Sequence, residues 1–170
     1  SLSFDDMVVP VSGIPITVTR TYDSRNKEKG DFGIGWTLSM KDVKLSESSE
    51  PFKNWDERVS GVGFPKYYLV ETKPHIVTIT YPNGKTDEFE TVLNPNVRSL
   101  LSFIDSGIPV LVSYKPKKGT YSKLEALSDN QCYVFDEGDG EIALYSQSSL
   151  LQYNPDRYKL TTQDGTVYII

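Results

Sequence analysis

The chain holds one cysteine, one histidine and two tryptophans among 170 residues, and each scarcity removes a class of chemistry. Cys132 alone closes no intrachain disulfide. One Cys and one His nearly exclude a closed zinc site. His75, beside Pro74, is the sole imidazole, and no sequence context pairs it with Cys132 or with a particular serine. A nucleophilic triad therefore has no visible starting point. No apolar run approaches the length that a membrane-spanning helix needs. Gly33-Ile34-Gly35 lacks the Lys-Ser/Thr that follows in a phosphate-cradling loop. With 18 basic and 23 acidic side chains the formal charge is −5, which argues against nucleic acid or an anionic membrane as the main partner.

What is abundant is strand and turn material. Tyrosine leads the aromatics with 11 copies, and 12 Gly and 10 Pro are scattered along the chain, as in a protein of many short strands. Ile14, Ile16, Val18, Arg20 and Tyr22 share one parity, and Pro15, Thr17, Thr19 and Thr21 the other. That period of two is a strand. Val8 to Val11 precede it across Ser12-Gly13, a hairpin turn. Arg20 falls on the apolar side, where its stem would pack on the core and its guanidinium stack on a ring or meet an acid. Phe32-Gly33-Ile34-Gly35-Trp36 then suggests a backbone bend that plants Phe32 and Trp36 in a core. A third strand starts at Trp36, with a bulge near Lys41-Asp42.

From Ser46 to Gly63 the pattern fails, and the sequence reads as one long mobile loop. If the chain holds two subdomains, they part there; otherwise residues 1–170 are a single all-β domain, cut from a longer polypeptide. Hairpins then recur. Strands are expected over residues 66–72, 75–81, 85–90, 109–114, 121–127, 131–136, 141–145, 158–162 and 166–170, with Asn83-Gly84 a strong turn signal. Asn96 could cap a short helix through Leu101, over residues 96–103. TITYPNGKTDEF, YVFDEGDGEIAL and LTTQDGTVYI share one plan of strand, polar Gly tip and strand. The expected architecture is all-β and mostly antiparallel, a hairpin-built sheet, sandwich or partial barrel with at most one short helix.

Residues 16–39, ITVTRTYDSRNKEKGDFGIGWTLS, resemble the stretch that opens the Rhs/YD-repeat region of large bacterial surface and toxin proteins. Arg20, Tyr22, Asp23, Ser24, Gly30, Phe32, Gly33, Gly35 and Trp36 carry the resemblance. The closing LTTQDGTVYII is similar to an Asp-Gly hairpin that follows in that family, at Asp164, Gly165 and Tyr168. Residues 46–75 and 91–130 carry no part of it. The resemblance implies a non-enzymatic structural module of an exported, secreted or cell-wall-associated bacterial protein, one that opens or plugs a β-shell. Its partner would be the rest of the parent polypeptide. The self-cleaving aspartates and the effector of toxin members lie at the far end of that family, so no catalytic residue is carried over and no cofactor is implied.

The remaining candidates read as structure. Cys132 sits in an alternating strand as a small buried group, and His75 as a structural or solvated ring. Asp136, Glu137, Asp139 and Glu141 crowd a glycine-rich tip without EF-hand spacing. Asp5-Asp6 could pair with another acid for glycoside hydrolysis, but no neighbouring feature supports it. Trp55, Tyr67, Tyr68, Tyr114, Tyr121 and Tyr153 are sheet-packing rings on one reading. On the other they stack on sugar, with Trp55, Tyr67 and Tyr114 as contacts of a cell-surface glycan and the chain as a carbohydrate-binding β-module. If Tyr22, Phe32 and Trp36 pack together, Trp36→Ala leaves a cavity costing about 3–5 kcal/mol; thermal melting like that of the parent chain would refute that packing.

Overall fold

Seventeen strands and no helix make up the described residues. The computed structural model describes residues 2–11, 14–22, 24, 29–30, 33–34, 36–40, 43–81, 83–99, 101–104, 107–138 and 140–170, with side chains at Tyr22, Ser24 and from residue 43 onward. Near the N-terminus, β1 (Leu2–Val11), β2 (Ile14–Tyr22), β3 (Lys29–Gly30), β4 (Gly33–Ile34) and β5 (Trp36–Met40) form two small sheets. β2 is the centre of a three-stranded sheet, paired antiparallel with β1 and β5. Its register sets Tyr22 opposite Trp36. Phe32 and Gly35 lie outside the described residues, as do the side chains of Arg20 and Trp36.

The main body is one antiparallel sheet of twelve strands that curls into a half-barrel. It contains β6 (Lys44–Glu47), β7 (Trp55–Ser60), β8 (Lys66–Glu71), β9 (Ile76–Thr80), β10 (Thr86–Asn94), β11 (Val97–Ser99) and β12 (Ile108–Pro116). β13 (Lys123–Ala126), β14 (Gln131–Asp136), β15 (Ile142–Ser146), β16 (Tyr158–Thr161) and β17 (Val167–Ile169) complete it. β12 is the fork. One edge pairs with β10 from Asn94↔Leu111 to Phe89↔Pro116. The other edge pairs first with β14, Ile108↔Val134 to Leu111↔Gln131, and then with β13 at Tyr114↔Leu124. One wing continues β14-β15-β7-β8-β11, the other β13-β16-β17. β17 passes beside β5.

Alternation explains which face is inside. Ile108, Val110, Val112 and Tyr114 of β12 are buried, while Pro109, Leu111, Ser113 and Lys115 are exposed. β10 buries Asp87, Phe89, Thr91 and Leu93 by the same rule. The core gathers these with Val77 and Ile79 of β9, beyond β10, and with Leu124, Leu160, Val134 and Leu144 from the two wings.

Two local expectations are corrected. The long loop over 46–63 contains a strand: β7 pairs with β8 from Trp55↔Glu71 to Ser60↔Lys66. Its charges hid it, yet inside the fold Glu57 accepts hydrogen bonds from the Ser102 hydroxyl and the Phe103 amide, at 2.7 and 2.5 Å. The helix over 96–103 is absent. Instead the Asn96 carbonyl accepts from the Leu69 amide at 2.9 Å and β11 adds to the edge of β8. The main-chain edge of β8 outcompetes a short helix that would leave its own end groups unpaired.

Phe89→Ala removes a fully buried ring and is expected to lower the unfolding free energy by about 3–5 kcal/mol. Leu111→Ala, on the outer face at 40% exposure, should change it by no more than about 0.5 kcal/mol. Denaturant titration of both variants checks the assignment of faces.

Candidate functional site

Three turns converge at one end of the sheet. The first joins β9 to β10. Gly84 takes φ +80°, the Lys85 amide donates to Asn83 Oδ1 at 2.9 Å, and Tyr81 and Lys85 close the hairpin through main-chain bonds. Glycine is needed there because a Cβ is strained at positive φ. The second is the Lys117–Ser122 connection, held by the Lys117 amide to the Glu88 carbonyl and by the Glu88 amide to Thr120 Oγ1, both 2.9 Å. The third is the β16–β17 tip, where Asp164 Oδ1 accepts from the Thr162 hydroxyl at 2.5 Å and the Thr166 amide at 3.1 Å. Those bonds, that of Thr162 first, hold the Asp164 carboxyl below its ordinary range.

Between the turns lies a cleft of about 330 Å³ lined by Tyr81, Asn83, Lys85, Asp87, Tyr121, Ser122, Thr162, Gln163, Asp164 and Tyr168. That volume is at the low end of the roughly 300–1,000 Å³ of small-molecule sites. At its floor the parity of β10 turns a carboxylate inward. Asp87 is 2% exposed. Its Oδ2 accepts from the Tyr81 hydroxyl at 2.8 Å and the Ser122 hydroxyl at 2.6 Å. Its Oδ1 has no hydrogen-bond donor; the Lys85 ammonium stands 3.6 Å away, beyond hydrogen-bond reach. Burial, then the bond to Asp87, pushes the Tyr81 hydroxyl upward. Burial and the Asp164 charge do the same to Tyr168.

The aromatics singled out from sequence lie mostly elsewhere. Trp55 is 6% exposed and Tyr114 8%, so neither ring offers a face to solvent. Trp55 stacks on His75 at 4.2 Å and 5° and donates its indole N–H to the Pro51 carbonyl, tying the preceding loop to the body. Tyr67 is half-buried against the core. Tyr153 is buried, its hydroxyl 3.2 Å from that of Tyr114, and Tyr158 donates to Glu47 at 2.5 Å. Of the rings considered, Tyr121 is the exposed one, at 71%, and it borders the cleft.

His75 is 2% exposed. Its Nε2 lies 2.7 Å from the Lys53 carbonyl and its Nδ1 3.3 Å from Glu71 Oε2, so each ring nitrogen faces an oxygen acceptor. Cys132 is fully buried. Asp136 Oδ1 accepts from the amides of Gly138 and Gly140, and Glu137 accepts from the Tyr145 hydroxyl. Asp139 lies outside the described residues, and among those described no group of His, Cys, Asp and Glu is placed to hold a metal ion. Asp87, Tyr81, Ser122 and Tyr168 were not recognised from sequence as a cluster. The available signal was an acid at an inward position two residues before Phe89.

The buried titratable groups set an alkaline limit. Burial, helped by Asp129, pushes the Cys132 thiol from 9.0 to about 12, and burial likewise drives Tyr114, Tyr153 and Tyr158 upward. A raised folded value favours the native state below the unfolded value and loses that contribution as pH rises toward the folded one. The contribution of Cys132 to stability in urea is therefore expected to be full below pH 9.0 and to fall between there and about 12. A flat profile across that window would contradict the burial of these groups.

A domain family of unknown function (DUF6531) matches residues 1–52. No curated protein and no solved structure matches the chain.

Proposed function

We propose that this chain is a non-enzymatic structural module of a large exported bacterial protein of the Rhs/YD-repeat kind, where it opens or plugs a β-shell. One observation carries the reading: the sheet curls through half a barrel and stops, with β6 and β11 each paired on one side only among the described residues. An unpaired strand edge presents a row of amides and carbonyls that templates further strands. Growth by hairpins, each stabilised by the one before it, is how such a shell would extend. The match of residues 1–52 to a domain family covers the segment where the Arg20–Trp36 motif lies, and is compatible with this origin. The partner is then the rest of the parent polypeptide, and the location is outside the cytoplasm or at the cell surface.

Hydrogen exchange tests it. The outward amides of β6 and β11 are compared in the isolated chain and in a longer polypeptide carrying the downstream repeats. Protection there should rise by on the order of tenfold or more if strands are added to these edges. Equal exchange in both would overturn the proposal.

A further inference from the structure

The cleft floored by Asp87 has features that a scaffold role does not use. Buried acceptors in native proteins are almost always satisfied, and each exception calls for a reason. Here the exception is half of a carboxylate. Oδ2 has two hydroxyl donors, while Oδ1 has none and is closed off from solvent. Leaving such an oxygen unbonded is costly, so a ligand that donates to it gains more than the same bond would give in water. Lys85 is the cation beside that oxygen, and its side chain is 59% exposed. Moving outward, it would give up this ion pair and its place over the Tyr81 ring at 5.8 Å, which a donor reaching Oδ1 would have to offset. The same ammonium disfavours a cationic donor, which leaves a neutral donor, and the hydroxyls already bound to Oδ2 show that an O–H fits this carboxylate.

The walls suit the same ligand. Tyr121, 71% exposed, and Tyr168, half-buried, offer ring faces. Asn83 and Gln163 offer amides from two facing turns, and Asn83 Oδ1 is already used by the Lys85 amide, which leaves its NH₂ to donate. Apolar ring faces beside neutral donors and one needy acceptor match a molecule with C–H faces and a hydroxyl rim.

We infer that this cleft binds a single sugar ring, with a hydroxyl donating to Asp87 Oδ1 and a C–H face lying on Tyr121. The Tyr81 and Ser122 hydroxyls hold the carboxylate in place, and the three turns set the width of the opening. The inference stands apart from the scaffold reading, since sugar binding at this end leaves the β6 and β11 edges untouched.

Saturation-transfer NMR on the intact chain tests it with glucose, galactose, rhamnose and N-acetylglucosamine as probes, and with tetramethylammonium as a cationic control. At least one sugar should show transfer. Tyr121→Ala, at an exposed position that leaves the fold alone, should abolish it, and Asp87→Asn should weaken it tenfold or more. Transfer to none of the four sugars, transfer to tetramethylammonium alone, or sugar transfer that survives Tyr121→Ala would overturn the assignment.

Discussion

The constraint on which the molecule depends is the change of partner along one edge of β12. Over Ile108–Leu111 that edge bonds to β14, and at Tyr114 it bonds to β13. At the switch the Val112 amide donates to the Asn130 carbonyl at 2.8 Å, so that donor stays paired between the two partners. A flat sheet cannot place two strands end to end against one edge and keep both wings in plane, because each strand adds its own twist. The wings diverge and curl, and the inward faces of both meet over β10 and β12. The core is a product of that divergence, since Leu124 and Leu160 come from one wing and Val134 and Leu144 from the other.

The fork also explains the polar interior. Where the wings approach, Tyr114, Tyr153 and Tyr158 fill the gap with large rings whose hydroxyls need partners. Tyr114 and Tyr158 meet edge to face at 5.4 Å, and the hydroxyls reach Tyr153 and Glu47. Tyrosine is thus abundant here for packing with a polar tip, and the rings that do this work are withdrawn from any ligand.

How far the sequence disclosed this depended on whether a local rule decided the matter. A short β-branched and aromatic run over residues 109–114 marked β12, and Asn83-Gly84 marked the β9–β10 hairpin, because strand propensity and positive φ are local properties. β7 was hidden because Asp56, Glu57 and Arg58 read as solvated, and what satisfies Glu57 lies about 45 residues away at Ser102. The segment after Asn96 read as a helix because its true partner, β8, is likewise remote. The cleft was the least visible feature: its walls come from three turns, and only the inward parity of Asp87 betrayed it. In the opening motif, the pairing of Tyr22 with Trp36 is a backbone register, while Phe32 and Gly35 lie outside the described residues.

The bond from Tyr158 to Glu47 spans 111 residues, and β15 reaches back from Ile142 to Trp55. Contacts so far apart in sequence delay assembly, since the intervening chain must be confined before they repay it. During synthesis the earlier hairpins therefore wait, with apolar faces uncovered, until β15 and β16 emerge. Closure of the core waits on those two strands, and for that interval the nascent protein depends on whatever keeps neighbouring copies apart.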